Sequence, residues 1–262
     1  LLTNFKLGDD RKLGLESKSL LKINPRLIIG KISGFGDQSD RVAYDLILQA
    51  ETGFMSMNGT KDSGPIKMPV ALIDVLAGHQ LKEGILLALM ERQLTGKGRE
   101  VSVSLYDAAI CSLANQASNY LMTGHVAQRI GSLHPNIAPY GELFKTKDGA
   151  TLTFAIGSDN HFEKFTTELG VPELARDARF VHNQQRLENR EILFALLETL
   201  IYQFDSEQLL ANLHLKHVPC AKVKALDEVF QAEEAKALVL SEDIEGKATK
   251  RVRTTAFKLN HD

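Results

Sequence analysis

Cysteine is scarce in this chain: Cys111 and Cys220 are the only two among 262 residues. Two thiols cannot build a disulfide scaffold, so a reducing compartment is the expected setting. An excess of charge of one sign is also missing. The 31 Lys and Arg residues against 33 Asp and Glu leave a formal charge of −2, which lacks the basic footprint that nucleic-acid binding requires. Long hydrophobic runs are absent too. The mainly apolar stretches are too short or too interrupted to span a bilayer, and the first residues do not read as a secretory leader.

Several familiar site patterns are missing as well. There is no G-x-x-x-x-G-K-[ST] phosphate loop and no G-x-G-x-x-G; Gly34-Phe35-Gly36 is only a fragment of the latter, and Thr95-Gly96-Lys97-Gly98 has the composition of the former without its spacing. No G-x-S-x-G nucleophile elbow is present. His214 and His217 have H-x-x-H spacing but no second ligand pair nearby, so they read as surface residues and no metal is expected. Cys111 lies in an apolar helical pattern and reads as a small buried hydrophobe.

What remains is an ordinary globular composition, 44% hydrophobic and 24% charged, with length enough for one large or two small domains. A helical pattern over 10–24 ends at Asn24-Pro25. Leu27–Ile32 has the short, β-branched look of a buried parallel strand, with Ser33-Gly34-Phe35-Gly36 at its carboxyl end, where α/β sheets usually bind ligands. Helices are expected over 43–57, with Gly53 as a weak point, over 74–92 and over 106–122, with an alternating strand at Glu100–Leu105. Gly131–Gly141 has no period and reads as a loop of functional length. Strands at 142–145 and 151–156, helices at 160–169, 184–203 and 206–216, and an edge segment at 218–223 follow. The order predicts an α/β protein: a Rossmann-like large domain with a smaller α+β domain.

Two carboxylates stand out. Asp74 follows the apolar run Val70–Ile73 near a helix start, and Asp45 is followed by Leu46-Ile47-Leu48. Read from the residues alone, each is first a helix N-cap, and the backbone N–H groups around Asp74 would keep it ionised. Gly78, one turn beyond Asp74, would let a ligand approach that helix closely.

Several motifs together carry a resemblance. They are Asn24-Pro25-Arg26, Ile32-Ser33-Gly34-Phe35-Gly36, Tyr44-Asp45 through Gln49-Ala50, Gly53-Phe54-Met55, Leu94-Thr95-Gly96-Lys97-Gly98, His134-Pro135-Asn136 through Tyr140, Lys145–Gly149, Asp177-Ala178-Arg179-Phe180 and Val218-Pro219-Cys220. Through these the chain resembles the family III CoA-transferases, a family that includes formyl-CoA transferase, carnitine CoA-transferase and the succinyl-CoA:glutarate type. The resemblance implies transfer of coenzyme A from an acyl-CoA to a free carboxylic acid, with acyl-CoA as substrate and no tightly bound cofactor. It places Asp74 on the family's catalytic aspartate, which would form a mixed anhydride and then an aspartyl-CoA thioester. Asp45 falls on a second acidic position, a glutamate in formyl-CoA transferase.

The resemblance also implies CoA contacts from Asn4, Phe5, Lys12, Arg41, Val42 and Tyr44. Lys12 stands where that enzyme has arginine, and Val42 where it has lysine. A lid would come from the Gly131–Gly141 segment, with His134 and Asn136. The glycine-rich lid of formyl-CoA transferase is absent there, which looks closer to the carnitine or dicarboxylate branches. An interlocked homodimer is implied, in the cytoplasm, or in the mitochondrion for a eukaryotic source. Residues 1–125 would belong to the large CoA-binding domain, 126–225 to the small domain, and 226–262 to a linker and a return to the large one. Relatives extend past both ends, so a chain opening Leu1-Leu2 without Met is expected to be an internal excerpt with an incomplete large domain. Two alternatives stay open. One is an α-methylacyl-CoA racemase-like isomerase, against which Tyr44 stands where the racemase has histidine. The other is a non-catalytic CoA-binding paralogue.

Overall fold

In a computed structural model of the chain, which describes residues 1–259, the apolar run around Ile29 forms the middle strand of a parallel sheet. Strands β1 (Leu2–Thr3), β2 (Ile29–Ser33) and β3 (Glu100–Ser104) lie in the order β1-β2-β3. Leu2 is opposite Gly30, and Ile29 through Ser33 run beside Glu100 through Ser104. Parallel neighbours need crossover connections. Here α1 (Asp9–Lys12) and α2 (Ser17–Ile23) link the first pair, while α3 (Asp45–Glu51), α4 (Phe54–Met57) and α5 (Leu72–Thr95) link the second. After β3 come α6 (Leu105–Cys111) and α7 (Ala114–Thr123).

The buried faces of α3, α5 and α6 meet in one cluster: Leu48, Ile73, Ala77, Leu105, Ala108 and Ala109, with Ile32 and Val103 packed against it from the sheet. The helices expected over 43–57 and 106–122 are each broken in two. Gly53 explains the first break. Its φ of 91° lies in the left-handed region, which ends a helix and which glycine enters without the strain of a Cβ. Cys111, expected to be buried, is exposed at the end of α6.

These elements belong to the first of two compact units, Leu1–Gly131; the second is Ser132–Asp262. In the second unit β4 (Tyr140–Lys145), β5 (Thr151–Ala155) and β6 (Cys220–Lys222) form an antiparallel sheet in that order. Every second residue of β5 is buried, as expected for a sheet with one face on a core. Its helices are α8 (Asp159–Glu168), α9 (Asn183–Glu188), α10 (Arg190–Ile201) and α11 (Ser206–Leu215). The core is aromatic and aliphatic, built on Phe144, Phe154, Phe162, Phe165, Phe180, Leu193 and Leu197. Beyond residue 225 follow α12 (Leu226–Val229), α13 (Glu233–Lys236) and a hairpin of β7 (Val239–Ile244) and β8 (Lys247–Val252). Glu245 and Gly246, both at positive φ, form its two-residue turn.

One buried charge organises this second core. Arg186 is 0% exposed. Its Nε donates to the Ala138 carbonyl at 2.8 Å, Nη1 to the Phe180 carbonyl at 3.0 Å, and Nη2 to Asp159 Oδ1 at 2.8 Å. The guanidinium also sits 4.7 Å from the centre of the Phe162 ring. Burial pulls the Arg186 pKa below its usual value, and Asp159 offsets part of that pull. Arg186→Met would leave the Ala138 and Phe180 carbonyls without their donor and Asp159 with His182 as its remaining partner. It should lower the stability of this unit by on the order of 3 kcal/mol, measured as a shift of the urea midpoint by circular dichroism.

Candidate active site

The parallel sheet decides where chemistry can gather. The segment after β2 passes Gly34 and Tyr44 before entering α3, and α5 begins in the same core, so the starts of two helices are brought together beyond a strand's carboxyl end. Close approach is needed for this. A Cβ on Gly34 would lie 2.3 Å from the Cβ of Ala43, so only glycine lets the two segments pass.

A cavity of about 600 Å³ opens here, within the range of small-molecule sites. Asn4, Phe5, Arg41, Val42, Tyr44 and Asp74, all singled out from the sequence, line it together. Its charged lining also includes Lys6, Asp10, Lys31, Asp37 and Asp40, and no histidine is among the lining residues described. Lys12 is not part of it. That side chain is exposed on α1, with its ammonium paired to Asp9 at 2.9 Å. Asp45 does not line the cavity either; it lies behind the wall, half-buried.

The two cations nearest the sheet are held in place. Lys31 lies 3.0 Å from Glu100 and 3.5 Å from Asp10. Burial opposes its charge, but the two carboxylates outweigh burial and raise the ammonium pKa. A single lysine in an apolar strand gave no periodic signal, and its place in the wall was not read from the sequence. Arg41 stacks 3.9 Å from the centre of the Phe35 ring, with Nη2 2.5 Å from Glu51. Phe5, Val42 and Tyr44 are exposed apolar or aromatic groups along the same cavity. The cavity therefore sets apolar surface beside the three cations Lys6, Lys31 and Arg41 and the four carboxylates Asp10, Asp37, Asp40 and Asp74, with Lys31 and Arg41 already paired.

Of the two carboxylates expected to cap, Asp45 caps the start of another helix and Asp74 caps none. Helix α5 has Ala71 at its N-cap position, which supplies no side-chain hydrogen bond. Asp45 supplies it from another helix: its Oδ1 accepts from the Ile73 N–H at 2.8 Å, and its Oδ2 accepts from Gln49 Nε2 at 2.6 Å. Asp74 sits in the first turn of α5 without capping it, and its carboxylate accepts no hydrogen bond among the described residues. The expectation that N–H groups hold Asp74 ionised is thus overturned. Asp74 opens onto the cavity, yet partial loss of hydration, reinforced by the Asp45 charge, raises its pKa above the ordinary 3.8. One turn on, Gly78 faces open space, with nothing within 4 Å of where a Cβ would stand.

His134 and Asn136 belong to the second unit. The segment that carries them, read from the sequence as a loop, is tied down. Arg190 Nη2 donates to the His134 and Ile137 carbonyls at 2.9 and 2.5 Å, and Asn183 Nδ2 donates to the Asn136 carbonyl at 2.9 Å. Ala138 and Pro139 are buried. The His134 ring packs 4.9 Å from that of Tyr140, centre to centre.

Other chemistry finds little support. Among the described residues no group of three His, Cys, Asp or Glu side chains is placed to hold a metal, and no helix is long and apolar enough to cross a membrane. His214 and His217 are exposed. Burial pushes the Cys220 thiol up to about 11, far from a thiolate nucleophile.

The raised pKa of Asp74 links the site to stability. A carboxyl that titrates higher in the folded state contributes stability that is fully present below its unfolded value of about 3.8 and is lost as the pH rises through the folded value. Ionised Asp74 therefore weakens the native fold at neutral pH. Asp74→Asn should melt at a higher temperature than the native chain near pH 7, and the difference should close towards pH 3, as followed by differential scanning calorimetry.

The chain is 34% identical over 248 residues to the succinate–glutarate CoA-transferase of Agrobacterium fabrum, covering 94% of this chain and 62% of that protein. It is 35% identical over 223 residues to the acetyl-CoA:oxalate CoA-transferase of Acetobacter aceti, covering 84% of this chain and 57% of the other. A solved structure of a CAIB/BAIF family protein from Brucella suis matches with a TM-score of 0.83 at 39% identity, over 98% of this chain and 68% of that one. The chain thus spans 62% and 57% of the lengths of these two curated relatives. Residues 1–262 match the description CoA-transferase family III from end to end, and the chain belongs to that family.

Proposed function

We propose that this chain carries the catalytic aspartate of a CoA-transferase, which moves coenzyme A from an acyl-CoA to a free carboxylic acid. The observation that carries the reading is Asp74: a carboxylate on a cavity wall, without hydrogen-bond partners among the described residues and with a raised pKa. A partly desolvated carboxylate is a better nucleophile than a capped one. Attack of Asp74 on the thioester carbonyl expels CoA thiolate and leaves a mixed anhydride. A thiol of pKa near ~8.5 can leave as thiolate without first being protonated. The thiolate returns to the aspartyl carbonyl and frees the donor acid, leaving an aspartyl-CoA thioester. The acceptor carboxylate attacks that thioester, forms a second anhydride and expels thiolate, which returns to give the new acyl-CoA and restore Asp74.

The cavity suits such a substrate. Lys6 and Arg41 face the phosphates of CoA in this reading, and Phe5, Val42 and Tyr44 its apolar portions. Relatives named as acting on succinate, glutarate and oxalate support a short carboxylic acid as acceptor. Racemisation at a carbon needs an acid and a base; the position before Asp45 is Tyr44, and a tyrosine of pKa near ~10 is a poor base at neutral pH. The homodimer and the lid at His134 and Asn136 belong to the same proposal. Exposed Leu86, Leu87, Met90 and Leu94 along α5, 54% to 89% accessible, support an associating surface.

Incubation with succinyl-CoA, trapping with hydroxylamine and peptide mass spectrometry should place the modification on Asp74. Asp74→Asn should lose the adduct and lower turnover with glutarate by at least about 1000-fold. A chain that binds CoA but forms no adduct at Asp74 would overturn the reading.

A further inference from the structure

Behind the cavity wall lies a second polar layer that the proposed reaction does not use directly. Gln49 is 0% exposed, on the inner side of α3, one helical turn from Asp45. Neither end of its amide is idle. Nε2 donates to Asp45 Oδ2 at 2.6 Å and also reaches the Val70 carbonyl at 3.5 Å, while Oε1 accepts from the Met68 N–H at 2.7 Å. Asp45 turns its other oxygen to the Ile73 N–H at 2.8 Å. One buried side chain therefore joins α3, the exposed strap before α5, and the carboxylate that caps α5.

The geometry fits no simple packing role. An apolar residue of similar size would fill the same space but take away the acceptor of the Met68 N–H and the donor to Asp45. What only an amide of this length supplies is a donor to Asp45 and an acceptor for the strap, held at one separation. Asp74 begins one residue after the amide that Asp45 caps. Any turn of the Asp45 carboxylate therefore shifts the first turn of α5 and changes the charge that Asp74 meets.

We infer that Gln49 is a positioning residue for Asp74, holding the Asp45 carboxylate against the first turn of α5 and so setting both the direction of Asp74 and its electrostatic surroundings. The kinetic part of this inference rests on Asp74 being the nucleophile; the electrostatic part does not. Lys31 and Arg41, the paired cations of the wall, make no hydrogen bond with Gln49, whose partners are Asp45, Val70 and Met68.

The test uses the whole chain with Gln49→Met and Gln49→Glu. Methionine keeps the volume and flexibility of the side chain and removes all three polar contacts. Glutamate keeps an acceptor for the Met68 N–H and loses the donor to Asp45, so it carries the test if the methionine variant does not fold. The first readout is the titration of Asp74 by carboxyl carbon NMR, with Asp45→Asn as reference. Asp45→Asn should lower the Asp74 titration towards the ordinary carboxylate value. Gln49→Met should move it in the same direction, as Asp45 turns towards water. The second readout is turnover with succinyl-CoA and glutarate. It should show kcat lowered about 10- to 100-fold with KM for succinyl-CoA nearly unchanged, as expected for a misplaced reacting group.

A folded Gln49 variant whose Asp74 titration and kcat both match the native chain overturns the inference. So does a loss of kcat with an unmoved titration, which would mark Gln49 as structural only. Absence of the Asp74 adduct in the native chain defeats the proposed reaction, while the titration still decides the role of Gln49.

Discussion

The hydrogen bond from the Ile73 N–H to Asp45 is the constraint on which the site depends. A helix start leaves N–H groups without partners, and α5 has no side chain of its own to satisfy them. Asp45 satisfies one of them from α3, 28 residues earlier in the chain. This fixes two helices to one another at the end where the cavity opens. It also sets a negative charge beside the first turn that carries Asp74. The carboxylate that completes α5 also adds to the loss of hydration that raises the Asp74 pKa, and so further discourages the ionisation of its neighbour.

The cavity wall divides its labour in a similar way. Lys31 is bound between Glu100 and Asp10, and Arg41 is stacked on Phe35 and paired with Glu51. Side chains tied this way lose less freedom when a ligand arrives. The apolar groups beside them, Val42 and Tyr44, remain exposed and free to be covered. Rigid charge therefore lies beside open apolar surface along one wall of the cavity.

Some of this was legible before the structure. The long helix around Asp74 and the parallel strand at Ile29 follow from periodicity and β-branched runs. The importance of Asp74 came from its resemblance to a family position, since its residue type alone suggested a cap. The cap itself went to Asp45, because a hydrogen bond between helices leaves no local pattern. Gln49 had one signal, its spacing of four from Asp45 on a helix, but its bond to the strap did not. Cys111 sat in an apolar pattern, yet α6 ends there and leaves it exposed. The β7–β8 hairpin escaped notice because both strands are exposed on nearly every residue and show no alternation.

The segment from His134 to Pro139 has a consequence of its own. Its carbonyls are held by Arg186, Arg190 and Asn183, so its order is built into the second unit during folding. A ligand that meets it need not pay for that order, and binding there should lack the large heat-capacity change of coupled folding. Changes to this segment would then be felt mainly as residence time, because a surface already in shape tunes how long a partner stays more than how fast it arrives.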